Sequence, residues 1–474
     1  MLHRTFIAAA LLALSGLAAA QANGPVTETV MNSFTGSGGA YPGRGAPTLG
    51  KDGGLYGVTE QGGANQKGAI YRLAPDGSQT LLYSFIGNGD GVGPTWSLAR
   101  DAKGNFYGMA GQDLSGTNRG TVFKITPAGV FTTLHAFDWS GAEGWPAPDA
   151  VIVGSDGLLY GTAFEGGSNG LGTFFRMKTD GSGFTVLYDF GSGPKDVTQP
   201  IYPQGGLTQG SDGNFYGLTV SALLDGFGTG FGTVYRMTPN GTLTPLYFFS
   251  DPALEPPIGT PRLDAAGNLY FFGDIRDSSL FGRIYKLDPS NTLSTLHQFT
   301  IAEGVPAYSG QLLLGKDERL YGTTYWGGPT GGWDVGPGTV FSLGLDGQFA
   351  VLHDFGAEGD GANPEAGLVA AQDGSLWGTT RIGGSTSNGT AYRLNKPAEK
   401  FSVKPARIAL GSKAKLKWSS TDAAGCNASG AWGPASVALS GTLAVQPAAA
   451  GTYVYTLACW GAGTIARSVT LTVQ

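Results

Sequence analysis

A tripeptide of the form Leu/Phe-Tyr/Trp-Gly, or a near copy of it, recurs seven times, with its aromatic at Tyr56, Tyr107, Tyr160, Tyr216, Tyr270, Tyr321 and Trp377. The steps between them are 51, 53, 56, 54, 51 and 56 residues. A period of this size marks an array of similar small units, each burying a face on its neighbour, and confines the chain to repeat architectures. Gly supplies 81 of the 474 residues, more than twice the usual share of roughly 7%. So much Gly could signal disorder. Aromatics at 11%, set at a fixed period, argue instead that Gly punctuates short strands.

Each repeat reads as four strands. In the second these are residues 94–100, 106–109, 121–125 and 132–137, rich in β-branched and aromatic residues, with Gly, Pro and Asp at the reversals. The third strand recurs at 68–73, 172–177, 232–237, 282–287, 338–343 and 389–394, and the fourth ends at Phe85, Phe190, Phe249, Phe299 and Phe355. A four-stranded unit about every 50 residues is the pattern of a propeller blade. The seventh repeat lacks a fourth strand, because a polar stretch, 395–400, follows Leu394. Residues 29–34 carry the missing pattern, so the N-terminal strand is expected to complete the seventh unit and remove the open edges. A linear solenoid is the alternative. The expected fold class is all-β: a seven-bladed β-propeller over 27–394, closed by an N-terminal strand, then a linker over 395–400 and a small immunoglobulin-like β-sandwich over 401–474.

The sixth repeat shows the full pattern: Leu320-Tyr321-Gly322-Thr323-Thr324, Gly327-Gly328, Gly338-Thr339-Val340-Phe341, Asp346-Gly347 and Leu352-His353-Asp354-Phe355. It resembles the bacterial GloVer-type tandem repeat of exported proteins, over roughly 27–394. That resemblance implies a β-propeller and supplies no catalytic residue, because the family is defined by framework positions. The C-terminal stretch, with Trp418 on an early strand and a Cys pair, resembles a bacterial immunoglobulin-like domain in fold type only, since Cys426 follows Trp418 instead of preceding it.

The N-terminus reads as a signal peptide over 1–22. Arg4 precedes an apolar run, 6–17, and small residues follow, with cleavage after Ala20 or Ala22. The run is too short to span a bilayer as a helix, so no transmembrane segment is expected and the protein is read as exported, extracellular or periplasmic. After export, Cys426 and Cys459 are expected to form a disulfide. Its contribution is about 3–4 kcal/mol in the chain-entropy model. A formal charge of −6 without a basic stripe excludes nucleic acid as a partner.

Chemistry is sparse. Beyond His3, only His135, His297 and His353 occur, one per separated repeat, in a slot where other repeats carry Tyr83, Tyr188 and Tyr247. Such residues are not expected to converge on a triad or a His-ligated metal. No G-x-S-x-G, P-loop or H-E-x-x-H occurs. No catalytic residue, metal or cofactor is therefore assigned. The long connections hold Tyr325, Trp326, Trp333, Trp139 and Trp145, flat apolar surfaces suited to a sugar ring or partner chain, with local packing as the competing reading. An acidic-Gly motif repeats at Asp90, Glu143, Glu303 and Asp360, either as a repeated turn or as a rim of carboxylates. The function expected is non-catalytic binding of a glycan, envelope component or protein. The alternatives are a polysaccharide lyase or hydrolase drawing on Glu60, Glu165, Asp225, Asp274, Arg276, Arg381 or Tyr325, and a structural envelope protein.

Overall fold

A computed structural model describes residues 26–112, 118–145, 150–192, 199–223, 232–251, 254–273, 281–306, 310–328, 336–357 and 359–474. The expected leader, Trp333, Asp225, Asp274 and Arg276 lie outside them. Every regular element among the described residues is a β-strand, and none is a helix long and apolar enough to cross a membrane.

Residues up to Leu394 form seven principal antiparallel sheets, one per repeat. The second is built from Ala99–Arg100, Phe106–Gly111, Gly120–Ile125 and Phe131–Ala136, each strand pairing with the next. The seventh takes Val369–Ala370, Leu376–Thr380 and Thr390–Leu394 from its own repeat, and its fourth strand is the N-terminal Glu28–Ser33. There Thr29 faces Arg393 and Ser33 faces Thr390.

The recurring tripeptide has a mechanical reason. Its Tyr hydroxyl donates to the Asp of the preceding turn: Tyr56 to Asp52 at 3.1 Å, Tyr107 to Asp101 at 2.9 Å, Tyr160 to Asp156 at 2.7 Å and Tyr321 to Asp317 at 2.6 Å. Where Trp377 replaces Tyr, the indole NH reaches the Ser375 hydroxyl at 3.0 Å, and that hydroxyl donates to Asp373 at 2.6 Å. These turn carboxylates are thus spent on the framework. The Gly of the motif lies under a ring from the paired strand. A Cβ on Gly108, Gly161 or Gly322 would sit 2.5 Å from Phe123, Phe175 or Phe341, closer than packed carbons approach.

Packing runs from each sheet to the next and returns from the seventh to the first. Tyr56 and Ile70 of the first sheet share a core with Phe106 and Phe123 of the second. Tyr321 and Phe355 of the sixth share one with Leu376 and Tyr392 of the seventh. Trp377 and Ala391 of the seventh, with Phe34, share one with Leu55 and Tyr71 of the first. The fourth-strand Phe anchors each joint and is 0–1% exposed at Phe34, Phe85, Phe137, Phe190, Phe249, Phe299 and Phe355. Its amide bonds to the carbonyl that opens the third strand, at 3.0 Å for Phe85 to Gly68, 3.1 Å for Phe355 to Gly338, and 3.0 Å for Phe34 to Gly389. The last bond joins the two ends of the repeat region.

The C-terminal residues form a three-stranded and a five-stranded sheet, packed through Leu416, Tyr455 and Leu471 with Phe401 and Val403. The first strand, Ala398–Lys404, begins inside the stretch expected to be a linker. Glu399 is buried there and faces Ser420, so the polar composition of 395–400 reflects an edge strand as well as a connection. Cys426 and Cys459 are bonded, and they are opposite neighbours on adjacent strands of one sheet. The module is seated on the tight-turn side of the sixth sheet. Gly463 N donates to Tyr321 OH at 3.1 Å, Thr464 Oγ1 to Asp317 Oδ2 at 2.8 Å, and the Arg319 guanidinium lies 5.6 Å from the Trp460 ring centre.

Candidate functional site

Side chains from the two ends of the repeat region converge where the first, inner strands of the sheets begin and the second strands end, on the side of the long connections. Glu60 closes the second strand of the first sheet, Leu55–Gln61, and Arg381 follows the corresponding strand of the seventh, Leu376–Thr380. Arg44 and Glu365 precede the inner strands of the same two sheets. Arg381 Nη2 lies 2.8 Å from Glu60 and its Nη1 3.0 Å from Glu365. Arg44 Nε lies 3.0 Å from Glu365 and 3.4 Å from Glu60. Two guanidiniums and two carboxylates thus form a charge-balanced quartet, with both Glu side chains largely buried and Arg44 half-exposed. Burial pushes the Glu365 carboxyl above its ordinary value, with the Glu60 charge adding to the shift and both Arg opposing it. Burial acts against the Arg381 charge, but its bond to Glu60 and the nearby carboxylates outweigh that and hold it more firmly protonated.

Aromatic rings rim the quartet. Tyr325 follows the second strand of the sixth sheet, Arg319–Thr324. Burial, followed by the charge of Glu365, raises the pKa of its hydroxyl. Its ring meets that of Trp326 edge-on at 4.7 Å, and both residues are half-buried. The Arg381 guanidinium lies 5.7 Å from the centre of the Tyr41 ring. Tyr41 and Asn363 both adopt left-handed backbone, φ 54° and 56°, uncommon for residues with a side chain and concentrated at functional positions. Asn363 in turn fixes the Tyr325 carbonyl through a 2.8 Å bond.

Trp139 and Trp145 lie elsewhere, on the connection that leaves the second sheet. Their rings enclose the Arg119 guanidinium, at 4.6 and 4.3 Å from the ring centres. Trp139 stays 46% exposed. Glu165 is engaged through its backbone, bridged to Trp145. The structure therefore brings together Glu60, Arg381, Tyr325 and Trp326 from the sequence-derived candidates and sets Trp139 and Trp145 apart. Arg44, Glu365 and Tyr41 were missed. The available signal was their place just before an inner strand, in the same connections as the repeated Pro.

Below the quartet, the inner strands line a cavity of about 470 Å³. Gln311 spans its upper end, accepting from Ala46 N at 3.2 Å and Ser97 Oγ at 3.3 Å.

The outer-strand His residues and the acidic-Gly motif prove to be two halves of one device. Tyr83 donates to Asp90 at 2.9 Å, His135 lies 2.9 Å from Glu143, His297 3.3 Å from Glu303 and His353 3.0 Å from Asp360. The motif is a turn clasped to the preceding strand, not a rim. At His353 a third group joins: the donor atoms of Glu28, His353 and Asp360 all lie within 4.8 Å of one another. Burial, with the Asp360 charge adding to it and His353 opposing, pushes Glu28 up to about 7.

No curated protein matches the chain. Among solved structures it is similar to the extracellular domain of a protein named as a hybrid two component system of B. thetaiotaomicron, at 10% identity and TM-score 0.49, covering 95% of this chain and 57% of that one. The extracellular domain of one named as a one component system of the same organism gives 9%, 0.49, 95% and 58%. A gluconolactonase from Xanthomonas campestris gives 14%, 0.37, 62% and 82%. The chain spans less than two thirds of the length of the first two. The family model for the Gloeobacter/Verrucomicrobia repeat matches residues 20–231 and 202–407. Together these two matches run through all seven sheets, and the chain belongs to the Gloeobacter/Verrucomicrobia repeat family.

Proposed function

We propose that residues 27–394 are a closed seven-bladed β-propeller, that 401–474 are an immunoglobulin-like module, and that the protein is exported and binds a glycan at the mouth of its propeller without converting it. The return of packing from the seventh sheet to the first supports the closed ring. The Cys426–Cys459 disulfide supports an oxidising compartment. The observation that carries the binding reading is the Arg44–Glu60–Glu365–Arg381 quartet beside Tyr325. Charged groups already paired to one another offer a sugar fixed donors and acceptors, and the neighbouring rings supply an apolar face. The same pairing argues against acid–base chemistry, because each carboxylate is occupied by a guanidinium. An enzyme reading draws on one observation, the raised Glu365 carboxyl near Tyr325. Trp139 and Trp145, around Arg119, are a second surface for the same class of ligand.

The test is a glycan array followed by calorimetry on the hits, with wild type, Tyr325→Ala and Arg381→Gln. Retention of a glycan by wild type, weakened at least about tenfold in both variants while each still unfolds cooperatively, is the expected result, with a lower thermal midpoint for Arg381→Gln because it leaves two largely buried carboxylates with one guanidinium. Absence of any hit, or equal binding by all three proteins, overturns the assignment. Cleavage of a bound oligosaccharide replaces it with the enzyme reading.

A further inference from the structure

The fourth strands align position by position, and the alignment exposes one substitution that the repeat does not explain. In the first, second and fifth sheets the outer-strand Tyr or His stacks flat on the Phe that opens the next sheet's fourth strand. Tyr83 lies on Phe131 at 3.9 Å and 5°, His135 on Phe184 at 3.8 Å and 4°, and His297 on Phe349 at 4.2 Å and 3°. At the junction of the seventh sheet with the first the pair is polar but complete, with Asn32 donating to Gln79 at 3.0 Å. At the junction of the sixth sheet with the seventh, His353 meets Glu28 in the slot of those Phe residues. A carboxylate there forfeits the stacking and desolvates a charge, which costs unless the charge is matched.

What surrounds Glu28 is an imidazole already engaged by a second carboxylate. Asp360 Oδ2 holds His353 Nε2 at 3.0 Å, and its Oδ1 accepts from Gly361 N at 2.7 Å. Glu28 Oε1 is buried with no hydrogen-bond partner among the described residues. The three side chains line one cavity of about 440 Å³, walled on the apolar side by Val26 and Val30. One imidazole and two carboxylates, with space left for water, make the donor set of a first-row divalent cation.

We propose that Glu28, His353 and Asp360 bind a divalent transition cation of the Zn²⁺ class, which ties the N-terminal strand to the outer strand of the sixth sheet. Tetrahedral bonds of about 2.0–2.2 Å to nitrogen and oxygen set donor atoms about 3.3–3.6 Å apart, so the His353–Asp360 pair, 3.0 Å apart, opens by a few tenths of an ångström and Glu28, within 4.8 Å of both, closes in by at most about 1.5 Å. Ca²⁺ is disfavoured, since it takes oxygen ligands in larger number. His135 with Glu143 is the built-in control: it has the same His–acid pair, but Phe184 fills the slot that Glu28 occupies.

The experiment uses the full chain, freed of metal by chelator, titrated with ZnCl₂ in a calorimeter and with Co²⁺ by visible absorption. The variants are Glu28→Phe, which installs the residue found at the joints of Phe131, Phe184 and Phe349, His353→Gln, and His135→Gln as control. Wild type and His135→Gln are expected to take up one equivalent and to unfold at higher temperature with Zn²⁺. Glu28→Phe is expected to fold, to bind at least about tenfold more weakly, and to lose the thermal response. If Glu28→Phe does not fold, His353→Gln carries the same expectation. Failure of wild type to saturate, binding unchanged by Glu28→Phe or His353→Gln, or an equal response to CaCl₂ overturns the proposal.

Discussion

Replacing Phe34 with Ala removes a ring that is 0% exposed and that meets Tyr71 edge-on at 4.9 Å across the joint between the seventh and first sheets. A buried aromatic ring removes on the order of 150–200 Å² from water, worth about 4 kcal/mol at about 25 cal/mol per Å². Measured Phe-to-Ala losses in cores, about 3–5 kcal/mol, agree. The reference is Phe137→Ala in the second sheet. Phe137 is also 0% exposed and lies 5.6 Å from Phe175, and its strand belongs to its own repeat. If the N-terminal strand is an integral member of the seventh sheet, the two variants lose stability equally, within about 1 kcal/mol. If it rests on the surface, Phe34→Ala costs about 0.5 kcal/mol or less, as surface changes do. Urea unfolding followed by tryptophan fluorescence, compared between variants by midpoint at constant slope, reads the difference. A wild-type midpoint for Phe34→Ala beside a shifted one for Phe137→Ala refutes the closure.

Two further outcomes follow from the framework. Gly322→Ala sets a Cβ 2.5 Å from the Phe341 ring and is expected to cost about 1–3 kcal/mol, seen as a lower thermal midpoint; an unchanged midpoint contradicts the close-approach account of the motif. The turn carboxyls of Asp101 and Asp264 are lowered in the folded chain: burial alone would raise them, and the bonds from Asn105 and Tyr107, and from Asn268 and Tyr270, outweigh it. A lowered folded value means that the stabilisation is intact above the ordinary 3.8 and is lost as pH falls through the folded value. Asp264→Asn is therefore expected to flatten the acid limb of a stability–pH curve below about pH 4, and an acid limb identical to wild type rejects the linkage.

The repeat was legible because its constraints are local. A Tyr that must reach an Asp four to six residues earlier, and a Gly that must lie under a ring, recur wherever the sheet recurs. The N-terminal strand was legible for the same reason, through Phe34. The quartet was not. Glu60 and Arg381 are single departures at one slot, and nothing in the sequence shows that residues 321 positions apart face each other or that Arg44 and Glu365 meet them. Glu28 was legible in principle, as the acid in a Phe slot, but a strand read from residue 29 leaves it out. The expectation for the His residues weighed each His alone, whereas His353 lies within 4.8 Å of the carboxylates of Glu28 and Asp360.

The pairing of Thr29 with Arg393 also sets an order of events during synthesis. The strand made first docks last, since about 360 residues must emerge before its partner exists. At roughly 5–20 residues per second the wait is roughly 20–70 s, during which the strand that leads into Phe34 has no mate within its own chain. A neighbouring copy whose seventh sheet is made but not yet closed offers the same pairing edge, so crowding of newly made molecules favours strand exchange between them.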